Sequence, residues 1–322
     1  MEEAFETEFE RFEVTRVEAI ADRVKSLRFE PLDRRPVASW TPGAHLDFRL
    51  SSGLVRQYSL CSDPADDQGY TVGVLLDPAS QGGSAAMHQL AEGDTVEVRG
   101  PRNNFELVPA PQYVFFAGGI GITPILPMVR RAAELLVPWR LVYGARNREA
   151  MAFRNELRSV QGGALRLVPE DTEGRTDFGY ELSLIEPGTV IYACGPAPML
   201  DALAAACSTL GLDSQLHVER FKGSGEVHAH QPADGAFEVE LARTGEVVRV
   251  TASQTIIDAI LPVRPDQPYS CLEGYCGTCE TKVLAGVPDH RDEYLSDDQR
   301  EANDTMMLCV SRANSRRVVL DL

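Results

Sequence analysis

The sequence predicts a multidomain chain with an antiparallel β-barrel, an α/β domain with a parallel sheet, and a small C-terminal α+β domain. Three observations carry this. Short β-branched runs punctuated by Pro, Gly and Asp fill the first third, and continuous apolar runs alternating with amphipathic helices fill the second. Four of the seven cysteines then fall together near the C-terminus. The expected boundaries are 1–108, 109–222 and 236–322, with 223–235 as a linker.

The barrel rests on six runs: FEVTRVEAI, VKSLRFEP, HLDFRL, VRQYSL, YTVGVLL and DTVEVRG. They alternate in part and recur at near-regular spacing, the pattern of a closed antiparallel sheet. One helix, SAAMHQLAEG, interrupts them. From Tyr113 the strands YVFFA, WRLVYGA, ALRLVP, TVIYAC and QLHVER show little or no polar alternation, so they are buried on both faces in a parallel sheet. ITPILPMVRRAAELL, REAMAFRNELRSV and PMLDALAAACSTL are the helices between them. KGSGEVHAHQPADGA lacks periodicity and reads as the linker. In the last domain FEVELA and EVVRVTA read as a hairpin, TIIDAIL as a short helix and ETKVLAG as a strand.

Composition narrows the function. With 43% hydrophobic and 25% charged residues the chain is globular. Its 31 Lys and Arg against 48 Asp and Glu give −17, with no basic stripe of the kind a nucleic-acid binder needs. The acidic balance favours a partner with a basic face. No apolar run approaches the roughly 20 residues that span a bilayer, and the acidic N-terminus MEEAFETEFE lacks a signal-peptide pattern. A cytoplasmic protein without membrane association is therefore expected. In that compartment the cysteines do not form a disulfide framework.

Cys271, Cys276 and Cys279 follow C-x4-C-x2-C, and Cys309 stands alone after 29 intervening residues. This is the plant-type [2Fe–2S] ligand spacing. Two bridged irons need two thiolates each, and Gly274 and Gly277 let the loop bend so that backbone N–H groups face the sulfurs. Structural zinc is the alternative, although zinc sites usually pair one CxxC with another.

Two further motifs suit redox cofactors. Arg56-Gln57-Tyr58-Ser59 ends a barrel strand and offers a cation for a phosphate, an aromatic face and a small hydrogen-bonding group for a flavin; residues 56 and 58 share a face. Gly82-Gly83-Ser84 opens the helix of the barrel, where a glycine turn feeds a helix N-terminus. Taken alone, the first motif also reads as an exposed strand Arg beside a half-buried Tyr. Gly118-Gly119-Ile120-Gly121-Ile122-Thr123 follows a buried strand directly and starts a helix, which suits a pyrophosphate. Cys194-Gly195-Pro196 ends another strand of that sheet at its carboxyl edge, where open α/β sheets bind ligands. A core Cys before a turn is the plainer account of Cys194.

RQYSL, SQGGSAAMH, GGIGITPIL, YACGPAPML, HVERF and the four cysteines, in this order, resemble the ferredoxin–NADP⁺ reductase superfamily with a ferredoxin domain appended. Over nearly its full length the chain resembles the phthalate dioxygenase reductase and vanillate O-demethylase reductase family. The resemblance implies an FMN-binding barrel, an NADH-binding α/β domain and a β-grasp ferredoxin domain that deliver electrons to an oxygenase. It implies flavin contacts from Arg56, Gln57, Tyr58 and Ser59, with Gly82, Gly83 and Ser84 at its phosphate. It places Gly118, Gly119, Ile120, Gly121, Ile122 and Thr123 at the NAD pyrophosphate, with Cys194, Gly195, Pro196 and Met199 near the nicotinamide. Phe221 lies against the flavin, and Ser59, Cys194 and Phe221 border the hydride path. Cys271, Cys276, Cys279 and Cys309 hold the cluster. The expected chain is a monomeric NADH-dependent reductase serving a terminal Rieske-type oxygenase or demethylase that acts on an aromatic compound. A cytochrome P450 partner and a redox sensor without turnover are the alternatives. Arg146 and Arg148, in YGARNR, leave NADPH open.

Overall fold

A computed structural model describes residues 9–51, 53–78, 82–221, 235–269 and 271–322. All but Gly235 of the expected linker lies outside the described residues. The chain divides into two compact units, Met1–Phe221 and Lys222–Leu322.

The first unit opens with β1 (Glu10–Ala21), β2 (Val24–Pro31), β3 (His45–Arg49), β4 (Val55–Ser59), β5 (Tyr70–Leu75), helix α1 (Gly83–Gln89) and β6 (Thr95–Arg102). The strands form an antiparallel sheet in the order β4-β3-β6-β1-β2-β5. A bridge between Leu60 and Val72, with Cys61 N–H donating to Thr71 O at 2.9 Å, joins the two edges and closes the barrel. Alternation sends Phe12, Val14, Leu27, Phe29, Leu46 and Phe48 inward. Met87 of α1 packs on the same core, which is why this helix caps the barrel.

The α/β part follows as β7 (Gln112–Gly118), α2 (Ile122–Glu134), β8 (Trp139–Ala145), α3 (Arg154–Ser159), β9 (Gly163–Pro169), α4 (Glu170–Glu173), α5 (Phe178–Ser183), β10 (Thr189–Cys194), α6 (Ala197–Leu210) and β11 (Leu216–Glu219). Its sheet is wholly parallel, in the order β11-β10-β7-β8-β9. One face packs Phe115, Leu141 and Tyr143 on α2, and the other packs Phe116, Val142 and Ile191 on α5 and α6. The chain winds outward from β7 to β9, then returns to β10 beside β7. The loops after β7 and β10 therefore part at a switch point, where a crevice opens at the carboxyl edge.

One expected helix is broken. REAMAFRNELRSV makes a 3₁₀ turn at Arg148–Ala150, capped by the Asn147 side chain, and α3 begins only at Arg154. Met151, Ala152 and Phe153 are all buried, and Phe153 takes a left-handed φ of 57°. Three consecutive inward side chains cannot lie on one helical stripe.

The second unit holds β12 (Phe237–Leu241), β13 (Glu246–Val250), α7 (Ile256–Ile260), β14 (Glu280–Ala285), β15 (Pro288–Asp289), α8 (Asp297–Ala302), β16 (Thr305–Met307), β17 (Arg312–Ala313) and β18 (Arg317–Leu320). Its mixed sheet runs β13-β12-β18-β14-β16, with β12 parallel to β18 and the other neighbours antiparallel. Thr255 and Asp258 form a reciprocal capping box that starts α7, whose apolar face joins the core under the sheet. This is a β-grasp arrangement. No helix among the described residues is long and apolar enough to cross a membrane.

Candidate functional site

The cysteine loop is shaped by three left-handed residues, Leu272 (φ 58°), Gly274 (77°) and Gly277 (74°). They reverse the chain tightly enough to turn the Glu273 N–H toward Cys271 Sγ at 3.3 Å. The distant Cys309 returns through antiparallel pairing: Glu280 of β14 faces Met307 of β16, and Leu308 N–H donates to Cys279 O at 3.4 Å. All four cysteines are buried. Hydrogen bonds with Cys276 and Cys309 hold the Cys271 thiol well down, and Cys309 is pushed up beside Cys271 and Cys279. The four thiols are one contiguous group. Among the described residues no three Cys, His, Asp or Glu side chains gather as ligands of one metal ion. A two-iron cluster divides its thiolates between two irons, two to each.

In the first unit the barrel and the α/β sheet meet at three side chains from three strand ends. Ser59 Oγ, ending β4, donates to Glu219 Oε2 at 3.4 Å, and Cys194 Sγ, ending β10, lies 3.9 Å from the same oxygen. Glu219 ends β11, which pairs in register with β10 so that Cys194 and Glu219 stand side by side. As a residue Glu219 is half-buried, yet its carboxyl is enclosed, and burial pushes it up to about 8 despite the bonds from Ser59 and Cys194. Burial also raises Cys194 far above the ordinary thiol range, with the Glu219 carboxylate adding to the effect. Phe221 packs half-buried on the core cluster that contains Cys194.

The switch-point crevice is a backbone-to-backbone contact. A Cβ at Gly121 would fall 2.2 Å from Cys194 O, and one at Gly195 only 3.0 Å from Gly118 Cα. At Gly118 a Cβ would meet Met199 Sδ at 2.6 Å and Pro196 Cδ at 2.7 Å. Glycine is required there by close approach. Gly119 differs: its φ is +54° and the space beside it is open, while Ile120 next to it is half-buried and packs on the core. Ile122 and Thr123 are fully buried, and Thr123 Oγ1 donates to Ile120 O at 3.0 Å. They shape the turn from inside.

The two barrel motifs also meet. A Cβ at Gly83 would fall 2.8 Å from Arg56 Cγ and 3.2 Å from its Nε, so the guanidinium stem lies along the first turn of α1. Arg56 Nη1 donates to Val55 O at 2.8 Å, and Arg56 has no carboxylate partner among the described residues. Gly82 is left-handed at φ 98°, and Ser84 Oγ accepts from Asp77 N–H at 3.1 Å. Burial raises Tyr58, so its phenol stays neutral. Gln57 Nε2 donates to His45 Nε2 at 3.1 Å, which requires a neutral imidazole; burial, with help from Arg102, pushes His45 down to about 4.

Residues 115–205 match the oxidoreductase NAD-binding domain, and residues 239–314 match the 2Fe-2S iron–sulfur cluster binding domain. The chain is 44% identical over 294 residues to phenoxybenzoate dioxygenase subunit beta of Ectopseudomonas oleovorans, covering 90% of each. Among solved structures it matches phthalate dioxygenase reductase, which transfers electrons from pyridine nucleotides to [2Fe–2S], at 33% identity and a TM-score of 0.70 over 98% of both chains. The chain belongs to the phthalate dioxygenase reductase family. An intact type IV self-sufficient cytochrome P450 monooxygenase matches as well, at 39% identity and a TM-score of 0.87. That alignment covers 98% of this chain, which spans 41% of the P450. This reductase-family chain is an oxidoreductase with nicotinamide and [2Fe–2S] domains. Its site contains one residue that the motifs do not single out, Glu219. In the sequence it lies inside the quoted segment HVERF, as a carboxylate ending the short strand LHVE directly before Arg220 and Phe221.

Proposed function

We propose that the chain passes electrons from NADH through FMN to its [2Fe–2S] cluster, and from there one at a time to a terminal oxygenase. The observation that carries this is the meeting of Ser59, Cys194 and Glu219. It joins the flavin-type barrel to the carboxyl edge of the nicotinamide-type sheet at one point. When bound, a flavin takes a hydride from nicotinamide and releases its electrons singly, which suits a one-electron cluster.

The chain's own residues hold and orient these groups. Arg56, with no carboxylate partner among the described residues and lying along Gly83, supplies charge to the FMN phosphate beside Gly82 and Ser84. Tyr58 offers a neutral aromatic face, and the neutral His45 fixes the direction of Gln57. Gly118, Gly121 and Gly195 bring the two crevice loops together, while Gly119, with open space beside it, and the half-buried Ile120 border the NADH pyrophosphate. Cys194 stays a thiol and borders the nicotinamide. Phe221 screens the flavin, and Ser59 keeps its proton by donating to Glu219. Cys271, Cys276, Cys279 and Cys309 bind the cluster in the second unit.

For the acceptor, the dioxygenase relatives support a Rieske-type oxygenase or demethylase acting on an aromatic compound. The alignment with a P450-fused reductase supports a cytochrome P450 as the second reading. The test is reduction of a purified acceptor from each class by NADH in the presence of this protein, together with chromatography of the released flavin. Release of FMN and transfer to the Rieske protein are expected; stoichiometric FAD, or transfer to the P450 alone, overturns that part of the assignment.

A further inference from the structure

Among the described residues of the second unit, Asp292 is the most deeply buried carboxylate that none of the expected roles uses. Its side chain is fully enclosed. Oδ2 accepts from Tyr294 N–H at 3.2 Å and from Leu295 N–H at 2.9 Å, while Oδ1 accepts from Ser311 Oγ at 3.3 Å. His290 Nδ1 and Arg300 Nη2 each stand 3.9 Å away, and Arg300 Nη2 spends its short bond, 2.6 Å, on Asp292 O. The carboxylate is thus satisfied mainly by a turn of its own chain and by a hydroxyl two residues beyond Cys309.

That turn is laid directly on the cysteine loop. Glu293 N–H donates to Gly274 O at 3.0 Å, and a Cβ at Gly274 would lie 3.1 Å from Asp292 Cα. One step on, the Tyr294 ring covers Gly277, where a Cβ would fall 2.4 Å from Cζ and 2.6 Å from Cε2. Gly274 and Gly277 therefore do two things: they bend the loop, and they leave room for this segment. Tyr294 is half-buried, and its hydroxyl makes no hydrogen bond among the described residues. Its ring acts by covering.

We propose that Asp292 is a positioning residue for the iron–sulfur centre: through its turn and Ser311 it fixes Tyr294 as a cover that keeps water from the cysteine loop, and so holds the reduction potential down. The physical reason is charge. Reduction adds an electron to a site that already carries four thiolates, and water that enters stabilises the added charge. A buried carboxylate nearby opposes the same electron, with Arg300 offsetting it only from 3.9 Å. Loss of the cover or of the carboxylate therefore raises the potential.

The experiment is a redox titration of the full-length holoprotein followed by the EPR signal of the reduced cluster. Tyr294→Ala and Asp292→Asn are each expected to raise the reduced-to-oxidised ratio about tenfold at a fixed ambient potential, ~59 mV for a one-electron couple. Tyr294→Phe keeps the cover and stays at the wild-type value. If Asp292→Asn fails to retain a cluster, Tyr294→Ala decides alone, because that half-buried side chain packs on the edge of the core and is not one of its buried members. Tyr294→Ala at the wild-type potential overturns the proposal, as does Asp292→Asn that keeps its cluster without a shift. The inference rests on the four cysteines holding [2Fe–2S], and failure of that reading appears earlier, as a wild-type protein without the EPR signal.

Discussion

Ser59 and Glu219 meet at 3.4 Å although 160 residues separate them. The contact joins the end of a barrel strand to the last strand of the α/β sheet, and it encloses a carboxyl that burial pushes up to about 8. Its titration carries a sign. In the folded chain Glu219 keeps its proton up to about 8, whereas unfolded it would lose it near 4.5. The folded state thus binds more protons in that window, and stability falls as pH rises through it. Glu219→Gln removes the loss, so its Tm should gain on wild type between pH 6 and pH 9. Turnover of NADH should fall through about pH 8 in wild type, where an anion appears beside the proposed hydride path. A flat profile in the variant is expected; the same inflection in both proteins would assign it to another group.

The glycines of the crevice are separable by substitution. Gly121→Ala forces a Cβ onto Cys194 O, 2.2 Å away, and should cost roughly 1–3 kcal/mol while raising the KM for NADH. Gly119→Ala meets open space and should pay only for its left-handed φ, ~1–2 kcal/mol. Urea melts and steady-state kinetics on the pair check both. Equal rises in KM would mean that close approach between the loops does not matter.

Arg56→Ala removes the cation lying along Gly83. A charge-assisted hydrogen bond of roughly 1.5–3 kcal/mol corresponds to flavin binding weaker by about 10- to 150-fold. Equilibrium dialysis of the flavin measures it directly. Wild-type affinity in the variant would make Arg56 an ordinary strand residue.

Because Met1–Phe221 is a compact unit with its own cores, a chain ending at residue 229 should fold and oxidise NADH with ferricyanide. It should lose cytochrome c reduction, which depends on the cluster. Rapid cytochrome c reduction by the shortened protein would move the exit point to the flavin.

The pattern of the chain carried most of the architecture. Every expected strand forms within a few residues of its run, because alternation and continuous burial leave periodic marks that survive any context. The helix REAMAFRNELRSV does not form as one piece, because Met151, Ala152 and Phe153 are drawn together into a core that local periodicity cannot anticipate. Short α5 was also missed; it is held by Glu181, buried against Arg140 and Arg166 from other strands.

The sequence by itself determined the chemistry on offer: four thiols at cluster spacing, a strand-turn-helix rich in glycine, and an Arg-Tyr-Ser strand end. Spacing along the chain is a property of the chain, so ligand sets and close-approach glycines can be read from it. Only the tertiary structure decided which distant groups meet. It put Glu219 on Ser59, laid Arg56 along Gly83, and set Tyr294 over Gly277. Those contacts come from strand order and register, which bring together residues that no local pattern links. The same register gives Glu219 its enclosed surroundings, and with them an electrostatic character that a lone carboxylate in a sequence does not have.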